Sequence, residues 1–173
     1  LTGLIFAKAA GATTIITSSS DEKLNYIQKT YGADHVINYR THPNWAAEVK
    51  RITDGKGADH ILEVGGVGTI EQSLDSVAWG GVISLIGFLS SLADDKMPNV
   101  TFQTLAKGAI LRGILAGSKQ QLEEAVQFIG TQKLPVPVDK IFPFTKEGVV
   151  SAFQYLASGR HTGKVCIDFD LMS

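Results

Sequence analysis

One cysteine, Cys166, is all the thiol chemistry in a sequence of 173 residues. That excludes an intramolecular disulfide and any thiolate cluster for a structural zinc ion. No apolar run is long enough to cross a bilayer. Charge of either sign is scarce: 19% of residues are charged and the net charge is −1, so no field draws the chain to nucleic acid or to an anionic membrane. Prolines number five, and Pro135, Pro137 and Pro143 crowd into one short stretch. The opening residues carry neither a basic leader nor a small-residue cleavage site, so a cytoplasmic, reducing setting is expected.

What is present is an alternation of two periodicities. Hydrophobic residues make up 44% and glycine counts 18, which suits a fold with many tight strand-to-helix turns. Residues 1–10 have helical spacing, with Leu1, Leu4, Ile5 and Ala9 on one face, and Gly11 stops them. A short β-branched strand is expected at 13–17. A helix then opens with Ser20 as N-cap and acids in its first turn, and Gly32 closes it. The same reading gives strands at 35–38, 60–64, 82–86, 109–114 and 164–169. It gives helices at 44–52, 69–77, 102–106, 119–129 and 148–157. Asp94 and Asp95 read as solvated loop acids, and the proline-rich stretch after 133 reads as an extended crossing segment. Strands that alternate with helices imply a parallel sheet covered on both faces, a doubly wound α/β domain. The repeated Gly-Ala-Asp-His at 32–35 and 57–60 reads as shared turn chemistry, not duplication.

Six runs in order then resemble one family: TSSSDEKL at 17–24, YGADHVINYR at 31–40, GADHILEVGG at 57–66, GGVISLIG at 80–87, LRGILAGS at 111–118 and GRHTGKV at 159–165. Together they resemble the medium-chain dehydrogenase/reductase superfamily, which holds zinc-type alcohol dehydrogenases and quinone reductases. The resemblance implies a Rossmann cofactor domain, expected at 1–133, and a return segment at 134–173 that packs on a preceding catalytic domain. It also implies that the first Rossmann strand and its Gly-rich turn are not in this sequence, because no G-x-G-x-x-G precedes Thr13 and residues 1–10 look like the helix that follows that turn. The chain is therefore expected to be the cofactor half of a longer oxidoreductase, weakly stable and inactive alone. In a sheet ordered 3-2-1-4-5-6 the first strand is central, so its loss would expose two rows of backbone groups.

Site residues follow from the same resemblance. Ser18 ends the second family strand, where an acid would accept the ribose 2′-hydroxyl of NAD, and a serine there removes the charge that repels the 2′-phosphate of NADP. Ser18, Ser19, Lys23 and Tyr39, with Arg40 beside them, are the expected adenosine-end contacts, and NADP is the expected cofactor with NAD as the other choice. Val64, Gly65 and Gly66 end a strand where small residues let a ribose approach. Ile86, Gly87 and Phe88, and Ala116, Gly117 and Ser118, look like segments whose backbone holds the nicotinamide carboxamide, although Phe88 could equally be core. Lys164 resembles a residue near the pyrophosphate, or it is a strand-edge charge.

His35 and His60 read as structural, and no His/Cys/Glu set has zinc-ligand spacing. Cys166 reads as inert core. No catalytic residue is expected here, since the resemblance places the catalytic groups, and any zinc, in the other domain. The implied partners are a small-molecule substrate and a second copy through strand 109–114. The competing reading is a non-catalytic nucleotide-binding or dimerisation module. A methyltransferase is disfavoured by the closing segments, and a short-chain dehydrogenase by the absence of any Tyr-x-x-x-Lys.

Overall fold

The structure, a computed structural model, describes residues 1–89 and 98–171, so Asp94 and Asp95 lie outside the described residues. Its elements alternate as the sequence implies: α1 (Thr2–Ala9), β1 (Ile15–Ser18), α2 (Asp21–Tyr31), β2 (His35–Asn38), α3 (Trp45–Ile52), β3 (Ala58–Glu63) and α4 (Ile70–Ser76) come first. Then follow β4 (Val77–Leu85), α5 (Val100–Lys107), β5 (Ile110–Gly113), α6 (Lys119–Gln132), β6 (Val138–Pro143), α7 (Lys146–Ala157) and β7 (Lys164–Asp168). The chain forms two compact units: Thr13–Gln127 is one, and Leu1–Ala12 with the segment from Phe128 onward is the other.

In the larger unit every strand pair is parallel. β1 pairs with β2, and a separate sheet has the order β3-β4-β5. Among the described residues no hydrogen-bonded strand joins β1 to β3. The sequence implies strands buried on both faces, and here the structure corrects it. Leu62 of β3 is 55% exposed and Ile110 of β5 is 56% exposed, while only Ile83 in the middle strand β4 reaches 0%.

The core is small and local. Ile70, Leu74, Val77 and Ile83 form it, with Ile61, Leu85, Val100, Ala109 and Leu111 packed against it. α2 is fixed by its ends: the Ser20 hydroxyl accepts from the Lys23 N–H at 3.3 Å, and Gly32 takes the left-handed conformation at φ 67°. The two Gly-Ala-Asp-His turns diverge in use. Asp34 accepts from the Thr14 N–H and hydroxyl at 2.8 and 2.9 Å, tying the start of β1 to that of β2. Asp59 instead forms an exposed ion pair with Lys56 at 2.9 Å. The second turn also needs its glycine, because a Cβ at Gly57, where φ is 89°, would lie 2.6 Å from the Ser76 carbonyl oxygen.

In the smaller unit the proline-rich stretch is more ordered than expected. β6 pairs in parallel with β7, Ile141 opposite Cys166, and Pro143 sits at the strand's end where a missing N–H is tolerated. Cys166 is half-buried, not core. Phe6 of α1 stacks on Phe128 at 5.5 Å, and α7 is capped by Thr145, whose hydroxyl accepts from the Gly148 N–H at 3.0 Å.

Candidate nucleotide-binding site

Parallel strands deliver their carboxyl ends to one edge, and ligands of such sheets bind there because the following turns and helix starts offer polar backbone. The expected residues of the larger unit fall on that edge in two groups. The first lies at the ends of β1 and β2. Ser18 is opposite Asn38 in the strand register, and the Tyr39 N–H donates to the Ser18 carbonyl at 3.1 Å, which brings Tyr39 beside it. The Ser18 hydroxyl accepts from the Ser20 N–H at 3.4 Å. Ser19 and Lys23 are half-buried at the opening of α2, and Tyr39 is 44% exposed. Two residues the sequence reading missed join this group. The Asn38 amide donates to the Asp21 carboxylate at 2.7 Å and its oxygen accepts from the Arg40 N–H at 3.0 Å. Asp21 had been read only as a helix-start acid; its distance from Asn38 in sequence hid the pairing.

The second group lies at the ends of β3, β4 and β5, and backbone bonds knit it together. The N–H groups of Ile86 and Gly87 both donate to the Glu63 carbonyl, at 2.8 and 3.3 Å, and Ile114 donates to Leu85 at 2.9 Å. Gly87 lies so close to the neighbouring turn that a Cβ there would be 2.4 Å from the Val64 carbonyl oxygen. Gly66 adopts φ 83°, and a Cβ on it would meet Phe88 at 3.0 Å. Phe88 is therefore not core: its ring stands over the β3–α4 turn and is 73% exposed. Val64 and Ile86 are half exposed beside it, at 50% and 48%. These side chains make an open apolar shelf above a backbone junction.

Ala116 and Gly117 are exposed, and Ser118 has a defined local task. Its N–H donates to the Gln121 amide oxygen at 2.8 Å and its hydroxyl accepts from the Gln121 N–H at 3.2 Å. That is a capping box at the start of α6, so Ser118 sets the helix entry whatever else it touches.

Lys164 belongs to the smaller unit. It lines an apolar groove of ≈ 190 Å³ with Thr2, Ile5 and Phe6 of α1 and Pro135 and Pro137 of the return segment. Lys164 thus shares this groove with Thr2, at the start of α1. A cation beside a helix start suits an anion. The histidines form no centre: among the described residues no group of three His, Cys, Asp or Glu is arranged to hold a metal ion. No described helix is long and apolar enough to cross a membrane.

Glu63 is expected at the strand end that leads into Val64, Gly65 and Gly66, but its role in that turn is what the sequence reading missed. It is 4% exposed at the carboxyl end of β3, and its carboxylate accepts from Gly65 N–H at 2.8 Å, Gly66 N–H at 3.0 Å, Thr69 hydroxyl at 2.6 Å and the Ser73 hydroxyl. The Gly66 carbonyl in turn accepts from the Thr69 and Ile70 N–H groups, both at 3.0 Å, so the turn is tied to the start of α4. A hint was legible in the sequence: an acid directly after the apolar pair Ile61-Leu62, followed by Thr69 and Ser73 around the start of the next helix.

Comparison with known proteins agrees with this geometry. Residues 1–131 match the family model described as zinc-binding dehydrogenase. A zinc-type alcohol dehydrogenase-like protein of Schizosaccharomyces pombe is 42% identical over 170 residues, covering 96% of this chain and 48% of that protein. A Sinorhizobium meliloti protein assigned as an alcohol dehydrogenase superposes with TM-score 0.85 at 39% identity, covering 96% of this chain and 47% of that one. A NAD-dependent alcohol dehydrogenase superposes with TM-score 0.82 at 32% identity, covering 96% and 46%. The chain spans about half the length of the curated relatives it matches. With its parallel Rossmann-type sheet and these matches along nearly its whole length, the chain belongs to the zinc-binding dehydrogenase family of the medium-chain dehydrogenase/reductase superfamily.

Proposed function

We propose that this chain is the nicotinamide-dinucleotide half of an alcohol-dehydrogenase-like oxidoreductase that moves hydride between NADP(H) and an alcohol, carbonyl or enone substrate. The observation that carries the cofactor choice is Ser18. It occupies the carboxyl end of β1 next to Tyr39, where a carboxylate would select for a free 2′-hydroxyl. The residues fit a dinucleotide: hydroxyls of Ser18 and Ser19, with Lys23 and Tyr39, take the adenosine end. Val64, Gly65 and Gly66, together with Ile86, Gly87 and Phe88, give the ribose and nicotinamide a close-packed backbone floor. Ala116, Gly117 and Ser118 follow the end of β5, where the Ile114 N–H donates to the Leu85 carbonyl, and are assigned to the carboxamide.

Hydride chemistry is the cofactor's own, and the protein's part is to hold it in one orientation. The exposed apolar side chains of Val64, Ile86 and Phe88 would exclude water from the nicotinamide face once covered. Polarisation of the substrate oxygen, by zinc or by a hydrogen-bond donor, is assigned to residues beyond this chain, on a domain against which the segment 134–173 packs. The exposed outer edge of β5 around Ile110 supports a homodimer formed by pairing strand 109–114 with its copy. We place the protein in the cytoplasm.

Titrating the full-length protein with NADH and NADPH tests the cofactor assignment. Ser18→Asp puts a second negative charge beside the 2′-phosphate and weakens NADPH by about tenfold or more while NADH changes far less. An unchanged NADPH-to-NADH ratio removes the reading of Ser18.

A further inference from the structure

We propose that Glu63 is the positioning residue of the nicotinamide end: one buried acid sets the two turns on which that end would rest. The proposal rests on the dinucleotide reading above and goes beyond it to a residue that touches neither cofactor nor substrate.

A buried carboxylate is costly unless its oxygens are hydrogen-bonded, so its presence at the end of β3 needs a cause. The cause is four donors that converge on it. Oε1 takes the N–H groups of Gly65 and Gly66 and the Thr69 hydroxyl, and Oε2 takes the Ser73 hydroxyl. Thr69 is the N-cap residue of α4, yet its side chain makes no cap bond; it is committed to Glu63 instead. That commitment lays the hydroxyl across the turn, where a Cβ on Gly65 would be 2.3 Å from it. Glycine at 65 is thus a consequence of the Glu63–Thr69 bond.

The same residue holds the second turn through its main chain. The Glu63 carbonyl accepts from Ile86 and Gly87, and the Gly87 α-carbon seats against Val64. Side chain and backbone of one residue therefore fix both sides of the junction, beneath the exposed Val64 and Phe88. Displacing the carboxylate would free the Gly65 and Gly66 N–H groups, reorient the turn and part it from Gly87. The ends of β1 and β2, which would hold the adenosine, are untouched by this network.

That spatial division provides the test. In the full-length protein, Glu63→Leu keeps a side chain of similar size but removes both acceptor oxygens. Binding of NADPH and NADH is measured by fluorescence beside binding of AMP and 2′,5′-ADP, which report the adenosine end alone. The expected result is a loss of about tenfold or more for the dinucleotides, with AMP and 2′,5′-ADP within about twofold of wild type. Equal weakening of both ligand classes, or unchanged dinucleotide affinity, overturns the proposal. If Glu63→Leu does not fold, Thr69→Val makes the same comparison with one donor removed, and the same selective loss, smaller in size, is expected. A wild-type protein that binds none of the four ligands overturns the nucleotide reading itself, and that outcome is seen before any variant is made.

Discussion

A methyl group added at Gly87 has no free volume to enter. Its Cβ would sit 2.4 Å from the Val64 carbonyl oxygen and 3.1 Å from the Val64 carbonyl carbon and α-carbon. The obstacle is backbone, so no rotamer change relieves it. Nor is that backbone free to retreat, because Val64 lies between the Glu63 carbonyl, which holds Ile86 and Gly87, and the Gly65 N–H, which the Glu63 carboxylate holds at 2.8 Å. Relief requires parting the β3–α4 turn from the turn after β4. Overpacking of this kind costs about 1–3 kcal/mol of stability. The same displacement opens the floor proposed for the nicotinamide ribose, and a nucleotide affinity lowered by about tenfold or more is expected. Urea unfolding of the full-length Gly87→Ala variant, with NADPH titration alongside, reads both effects. Gly113→Ala is the control, since a Cβ there meets nothing within 4 Å. A Gly87→Ala protein with wild-type midpoint and wild-type affinity would refute the steric argument and the junction built on it.

Two further outcomes follow from the core and from the smaller unit. Ile83 is 0% exposed in the central strand of its sheet, and Ile83→Ala is expected to lower unfolding stability by about 2–5 kcal/mol in a urea titration, whereas a loss below 1 kcal/mol, estimated from ordinary surface changes, would mean the cluster is not the core. Tyr155 donates its hydroxyl to Asp139 at 2.8 Å, and that bond, with desolvation and the Asp139 charge, raises its pKa above the ordinary tyrosine value. The raised pKa means the folded state holds this proton more tightly, so the associated stabilisation is present below the ordinary tyrosine pKa and is lost as pH climbs through the raised one. Alkaline spectrophotometric titration should show one late-ionising tyrosine that Asp139→Asn returns toward the ordinary range; no change in the titration would contradict the pairing.

Element order was legible because local signals were strong where elements end. Ser20 and Gly32 bracket α2 through a side-chain cap and a left-handed turn, and both are visible as residue types. Signals failed where a breaker was overruled by its surroundings. The Gly80-Gly81 pair reads as the turn before a strand, yet β4 already runs from Val77, with Gly80 at φ 71° beside a register shift between β3 and β4. The helix expected at 119–129 runs on through Gly130 to Gln132, and the prolines around 137 hid β6, whose partner β7 is distant in sequence. The candidate site divides in the same way. Glycines 65, 66 and 87 announce close backbone approaches by their type alone. The Asp21–Asn38 bond joins residues far apart in sequence and no local pattern reveals it, whereas Glu63 left a local hint in the Thr and Ser that follow it.

Hydrogen exchange of the full-length protein with and without NADPH tests the central claim most directly. Protection is expected at Ser18, Ser19, Lys23 and Tyr39 and across 64–66, 86–88 and 116–118, with the exposed face of α3 unchanged. Protection confined to other surfaces, or none at saturating nucleotide, would contradict the assignment of this edge of the sheet to a dinucleotide.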